Sequence, residues 1–178
     1  MNLEELSDIS AIEQLKSRYF RFMDTKQWAK WRELFTDDMV FYDDSDSVLP
    51  DLSEPTVVGG DAFVEYVSGL LRTAVTAHQG HMPDIEVNGD GTAHGVWAMF
   101  DWVDDPDNGM GLDTENGMAI QGFGHYHEDY IKGADGRWRI RDMRLTRIRV
   151  DQLAPSRPAG ARPWSPTWSR AADGAKPG

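Results

Sequence analysis

Asp24, in the stretch YFRFMDTKQW, and His78, in the stretch TAHQGHMPDIEV, are the residue types from which a general base is assembled. Imidazole has the side-chain pKa nearest neutrality. A carboxylate on its far nitrogen fixes the tautomer and makes it a competent proton acceptor. Each residue also has a plainer role: Asp24 can cap the short helix that follows it, and a histidine at the head of a strand can be structural. Capping and orienting a histidine are compatible only if one carboxylate oxygen serves each purpose. Two further histidine pairs, His78 with His81 and His125 with His127, raise the question of a metal. His125 and His127 are followed by Glu128 and Asp129 on alternating faces, the pattern of an exposed strand end, so no metal site is expected. A nucleophilic serine motif, a phosphate-binding loop and a dinucleotide fingerprint are absent: Gly109-Met110-Gly111 precedes no helical pattern, and GDGTAHG lies between strands.

The elements that must position Asp24 and His78 follow from periodicity. Over residues 6–23, Leu6, Ile9, Ile12, Leu15, Tyr19, Phe20, Phe22 and Met23 recur at steps of three and four, the stripe of an amphipathic helix. The run Asp24-Thr25-Lys26-Gln27 then restarts the chain. A second, shorter helix passes through Trp28, Trp31, Leu34 and Phe35, with Asp24 or Thr25 as its N-cap and Gln27 in capping-box position. Residues 39–42 form a short strand, residues 43–53 an acidic loop, and residues 60–71 a third helix started by Asp61 or the glycines before it. From about residue 74 the period becomes two. Strands are predicted over 78–87, 92–103, 119–132 and 137–150, separated by Asn88-Gly89-Asp90-Gly91, by the acidic Gly-rich loop 104–118, and by Gly133-Ala134-Asp135-Gly136.

Helices first and long hairpin-joined strands afterwards imply an α+β fold, a curved antiparallel sheet forming a cone closed by the N-terminal helices. In the last strand the apolar phase slips from Trp138 and Ile140 to Met143 and Leu145. An extra residue near Arg141 and Asp142 therefore predicts a bulge that bends the strand. A closed cone encloses a cavity, open near loop 43–53 or loop 104–118. Residues 1–153 form this domain, and residues 154–178, with Pro155, Pro158, Pro163 and Pro166 and the pair Trp164 and Trp168, form a separate tail.

Composition narrows the partners. The formal net charge of −12 and pI near 4.7 repel phosphate backbones and anionic headgroups, which argues against nucleic acid and membrane surfaces. With no cysteine there is no disulfide, thiolate nucleophile or cysteine-based metal site. Glu4, Glu5 and Asp8 occupy the positions where a signal peptide carries positive charge, and a cytoplasmic location is expected.

The opening AIEQLKSRYFRFMDTKQW, the following LFTDDMVF, the block HQGHMPDIEVNGDGTAHGVW and the closing DGRWRI resemble the SnoaL-like branch of the nuclear-transport-factor-2-like superfamily. That branch includes polyketide cyclases, scytalone dehydratase and hexachlorocyclohexane dehydrochlorinase. In motif the chain is most similar to the bacterial bile acid 7α-dehydratases, through Tyr-Phe-Arg-x-x-Asp-x-Lys-x-Trp and His-x-Gly-His-x-Pro-x-Ile. The resemblance implies an active site of Tyr19, Asp24 and His78, with Asp101 in FDWV and Arg147 in TRIRV binding substrate. It also implies homo-oligomers, trimers or dimers. On a straight helix Tyr19 and Asp24 stand about 140° apart, so their convergence requires the helix to end between them. Core packing is the plainer role for Tyr19, a strand-end position for Asp101, and pairing with an excess carboxylate for Arg147.

The chemistry expected is proton abstraction beside an activated carbon by His78, held by Asp24, followed by loss of hydroxyl as water. Tyr19 donates to the developing oxyanion. No cofactor is required. A hydrophobic, polycyclic or steroid-like small molecule suits the supply of seven tryptophans. Isomerase or polyketide-type cyclase chemistry starts with the same proton transfer, and a non-catalytic small-molecule binding module is possible on the same fold.

Overall fold

The structure is a computed structural model and describes residues 2–44, 54–105, 107 and 117–154. Most of loops 43–53 and 104–118, where the cavity is expected to open, and nearly all of the C-terminal tail lie outside the described residues.

Helix α1 spans Leu3–Asp24. It starts at a capping box, in which Asn2 Oδ1 accepts from Glu5 N–H at 2.9 Å and Glu5 accepts from Asn2 N–H at 3.2 Å. Its buried stripe is Asp8, Ile12, Leu15, Lys16, Tyr19 and Met23: four residues of the predicted face plus two charged ones, while Ile9, Phe20 and Phe22 are half-buried and Leu6 is exposed. Lys16 and Asp8 can lie on that face because each has a partner: Lys16 pairs with Glu128, and Asp8 accepts from Lys132 and from Trp138 Nε1. The helix stops where Lys26 enters the left-handed region at φ 57°. There Lys26 N–H bonds to Met23 O at 3.1 Å and Gln27 N–H to Phe22 O at 2.8 Å. This paired closure satisfies carbonyls of the last turn.

Helix α2, Trp28–Arg32, has Gln27 at its N-cap position and no side-chain capping bond. The expected caps Asp24 and Thr25 are instead the last residue of α1 and its C-cap. This corrects the predicted restart: the left-handed turn at Lys26 separates the helices, so neither side chain is needed to begin α2. Phe35, expected in this helix, begins β1 (Phe35–Asp43). Strand β2 is the pair Val57–Val58, and α3 is Gly60–Leu70, preceded by Gly59 at φ 102° with no side-chain cap. Asp61, one of the expected caps of α3, bonds instead to Arg32 Nε at 2.6 Å.

Four long strands complete the chain: β3 (Val75–Val87), β4 (Thr92–Asp105), β5 (Met118–Lys132) and β6 (Trp138–Leu153). The sheet order is β2-β1-β6-β5-β4-β3, antiparallel except where β1 runs parallel to β6. It is a curved, unclosed sheet with β2 and β3 as its edges. Curvature comes from register shifts. Asp129 opposes Asp142 while Tyr130 opposes Ile140, so Arg141 is the extra residue where the phase slip predicted one. A second shift, at Ile148, lies between the pairs Phe123–Arg149 and Gly124–Arg147. Gly124 permits it, because a Cβ there would stand 1.9 Å from Thr146 O. A third falls at Met82-Pro83, where proline has no N–H to offer the ladder.

Odd-numbered β4 residues and even-numbered β5 residues face the helices. Trp97, Met99, Tyr126 and Tyr130 join Ile12, Leu15, Trp31, Phe35, Phe63 and Met143 in one core. Its centre is aromatic: Trp31 stacks on Phe63 at 5.2 Å and meets Phe35 edge-on at 4.8 Å. Among the described residues no helix is long and apolar enough to cross a membrane.

Candidate active site

The C-terminal end of α1 lies over the beginning of β3, and there Asp24 meets His78. Asp24 Oδ1 is 2.7 Å from His78 Nδ1, and Asp24 Oδ2 accepts the backbone N–H of His78 at 2.9 Å. Thr76, two residues earlier and so on the same strand face, donates its hydroxyl to Asp24 Oδ1 at 2.8 Å. The carboxylate is acceptor-only, so Nδ1 carries the proton of this contact and Nε2 is the nitrogen left for the cavity that His78 lines. Neither oxygen caps α2. Both side chains are largely enclosed, His78 at 7% and Asp24 at 20% exposure. A second His–Asp contact, His94 with Asp129 at 2.8 Å, has the same chemistry, but both of its side chains are about half exposed on the opposite sheet face. Enclosure distinguishes the first pair.

The cavity measures about 140 Å³. Its walls are mostly apolar, with Met23, Phe41, Phe63, Leu71, Val103 and Leu145 among them, and its polar groups include His78, Asp101, Arg147 and the hydroxyls of Tyr19, Tyr66 and Tyr126. Register explains how distant segments converge. His78 is opposite Asp101, and Asp101 is opposite Gly122, so one row crosses β3, β4 and β5. The bulge at Arg141 keeps Met143, Leu145 and Arg147 on the inner face of β6. Arg147 Nη2 then reaches Asp101 Oδ2 at 2.8 Å, a pair 12% and 3% exposed. A Cβ at Gly122 would fall 2.2 Å from both Arg147 Nη1 and Asp101 Oδ1, so only glycine leaves room for the pair. Asp101 Oδ1 is buried without a hydrogen-bond partner.

Tyr19 does not meet Asp24 in the way the sequence required. Helix α1 continues through Asp24, and the two side chains leave it in different directions: Tyr19 points into the core, Asp24 toward β3. The residue that shares the cavity with Tyr19 is His78, with Asp24 behind it. Tyr19 OH lies 3.6 Å from Met143 Sδ, and its ring packs edge-on against Tyr126 at 5.9 Å. Burial, then the neighbouring Tyr126 and Glu128, push the Tyr19 hydroxyl well above its ordinary pKa. Burial and the charge of Asp101 do the same to Tyr126. Both are therefore hydrogen-bond donors across the neutral range. For Arg147, burial alone would lower the pKa, and the hydrogen bond and charge of Asp101 outweigh it, so the guanidinium stays charged.

Sequence reasoning missed Thr76, Lys26, Gly122 and Tyr126. Thr76 was legible as an i−2 neighbour of His78, and Tyr126 as the inward residue between two outward histidines. Lys26 stands in the motif Tyr-Phe-Arg-x-x-Asp-x-Lys-x-Trp, but nothing there places it against Thr76, whose Oγ1 its Nζ reaches at 3.2 Å only through the fold.

A curved, open sheet with helices over its inner face and a cavity between the layers is the cone of the nuclear-transport-factor-2-like fold. The chain belongs to the SnoaL-like domain family, which it matches over residues 4–144. Among solved structures it is similar to a hexachlorocyclohexane dehydrochlorinase, with TM-score 0.69 and 18% identity over 90% of this chain and 100% of the other. A Novosphingobium aromaticivorans protein named for scytalone dehydratase gives TM-score 0.65 and 16% identity over 89% and 97%. A Mycobacterium tuberculosis protein of unknown function is 28% identical, with TM-score 0.61 over 96% and 87%.

Proposed function

We propose that this protein is a cofactor-independent dehydratase in which His78, oriented by Asp24, removes a proton beside a carbonyl-activated carbon. The observation that carries this reading is the enclosed His78–Asp24 contact in the wall of a largely apolar cavity. With Nδ1–H held by the carboxylate, Nε2 accepts the proton. The resulting imidazolium is stabilised by Asp24 and returns the proton to the departing hydroxyl, so one residue serves both steps. Tyr19 supplies a neutral donor to the carbonyl oxygen as charge builds, and Tyr126, beside it, supplies a second. Asp101 and Arg147 bind the polar end of the substrate: Arg147 donates, and the unpartnered Asp101 Oδ1 accepts.

The substrate class follows the motif resemblance to the bile acid 7α-dehydratases, a polycyclic or steroid-like hydroxy-carbonyl compound. The described walls enclose less than the ~300–1,000 Å³ of sites that surround a whole drug-sized ligand, and so hold the reacting end of such a molecule. The names of two structural neighbours, a dehydratase and a dehydrochlorinase, denote eliminations and agree with this reading. The site residues, the cytoplasmic location and assembly into a dimer or trimer are parts of the same proposal. Sedimentation giving only the 20.1 kDa monomer would remove the assembly.

The test is turnover of a 7-hydroxy-3-oxo-4-ene steroid and of a smaller β-hydroxy ketone, followed by absorbance of the new conjugated alkene. His78→Ala and Asp24→Asn should each lower turnover by about two to four orders of magnitude with the fold intact. The double variant should be scarcely worse than His78→Ala, because the two act as a unit. Isotope exchange at the carbon acid without water loss would reassign the site to isomerase or cyclase chemistry. Full activity in His78→Ala would end the base assignment.

A further inference from the structure

We propose that Lys26 and Thr76 are positioning residues for the His78–Asp24 pair, forming a polarised relay that lowers the proton affinity of His78. The proposal rests on His78 being the base, and it concerns residues to which the motif resemblance assigns no role.

The hydrogen-bond directions are forced by valence. An ammonium has three donors and no acceptor, so in the 3.2 Å contact between Lys26 Nζ and Thr76 Oγ1 the hydroxyl oxygen accepts. That leaves Thr76 its single proton, which goes to Asp24 Oδ1 at 2.8 Å. The same oxygen, Oδ1, receives His78 Nδ1–H at 2.7 Å. A cation is therefore coupled through one hydroxyl to the carboxylate oxygen that sets the basicity of the imidazole. Charge withdrawn from Oδ1 stabilises the imidazolium less, and the positive charge opposes a second one nearby.

The backbone gives an independent reason to read Lys26 as more than a surface residue. It occupies the left-handed position that closes α1, at φ 57°, where glycine or asparagine is the usual choice. A side chain with a Cβ is strained there, and strain retained against local preference marks a position selected for something else. Burial also works against the charge, drawing the Lys26 pKa down to about 8, while the charge of Asp24 opposes that fall. At neutral pH the group is still an ammonium.

The charged and titratable groups facing this relay are few. Asp24 is on the helix that Lys26 ends, and Asp101, opposite His78 on β4, carries its own cation in Arg147 of β6. Asp43 of β1, Tyr19, Tyr66 of α3 and Tyr126 stand across the cavity, and Asp104 is in register with Val75 at the start of β3. Of these, Asp24 is the group hydrogen-bonded to Thr76 Oγ1, the atom through which Lys26 acts on it.

The test is an NMR titration of the His78 ring nitrogens, which needs no substrate, in wild type and in Lys26→Gly, Lys26→Asn, Thr76→Val and Thr76→Ser. Glycine and asparagine both suit the left-handed turn, so they delete the ammonium while relieving the backbone. Removing a charge at this distance should raise the His78 midpoint by about half a pH unit to one unit. Thr76→Val should raise it similarly, and Thr76→Ser should restore the wild-type midpoint. The thermal midpoint of Lys26→Gly should stay at or above that of wild type. In the turnover assay the acidic limb of kcat/KM should move up with the NMR midpoint. An unchanged His78 midpoint in both Lys26 variants overturns the relay and leaves Lys26 a structural residue. Unimpaired turnover in His78→Ala instead removes the base assignment on which the relay depends. The two failures are thus distinguishable.

Discussion

Replacing Arg147 by methionine tests whether the floor of the cavity is held by charge. The guanidinium is 12% exposed and its partner Asp101 only 3%, so solvent cannot take over when the cation is deleted. Asp101 Oδ1 already lacks a hydrogen-bond partner, and Arg147→Met strips Oδ2 of its 2.8 Å contact as well. A buried carboxylate left alone in this way costs about 3–5 kcal/mol. At the ~2–4 °C per kcal/mol typical of chains this size, the thermal midpoint should fall by roughly 6–20 °C. Replacing both partners, Asp101→Leu with Arg147→Met, removes the stranded charge and should recover most of the loss, because buried pairs and apolar isosteres are often near parity. Urea unfolding with linear extrapolation, run on the two single variants and the double, gives the coupling energy directly. A loss below about 1 kcal/mol in Arg147→Met would place the pair with weak surface salt bridges and refute the reasoning.

Other outcomes follow from the same geometry. Gly122→Ala places a Cβ 2.2 Å from both members of the pair and should destabilise by about 1–3 kcal/mol, read by the same unfolding curves, with substrate binding weakened as the pair is displaced. Gly80→Ala meets the Phe20 ring at 2.7 Å and should cost a similar ~1–3 kcal/mol, while leaving the His78 titration unchanged. The burial of Lys26 has a pH signature. Its folded pKa of about 8 lies below its unfolded value, so the unfolded chain binds more protons between about pH 8 and 10.5, and the cost of the buried charge fades as pH rises through that window. Lys26→Gly should therefore exceed wild type in stability most below pH 8, by up to about 3 kcal/mol, with the difference shrinking toward pH 10.5. A difference independent of pH would show that the ammonium carries no burial cost.

The local elements were readable because each is decided by neighbours in the chain. The stripe from Ile12 to Met23 gave α1, and the slip between Ile140 and Met143 gave the bulge at Arg141. The bulge at Ile148 was not readable, because it depends on Gly124 opposing it on another strand. Asp24 and His78 announced their chemistry by type, and a family pattern brought them together on the page. Whether the carboxylate caps a helix or holds the histidine was a choice between a local and a long-range partner, and sequence carries no term for the second. The fold decided it, by ending α1 through a strained lysine in place of a side-chain cap and laying that end on β3. Tyr19 failed in the opposite way: its angular separation from Asp24 was right, but the requirement that the two converge was not, because the cavity is reached through His78. The sequence by itself determined helix, strand, net charge and the reactive types. Only the tertiary structure decided which carboxylate is enclosed, which hydroxyl faces the cavity and which cation stands behind the Asp24–His78 contact, since burial and hydrogen-bond direction are properties of pairs that packing creates.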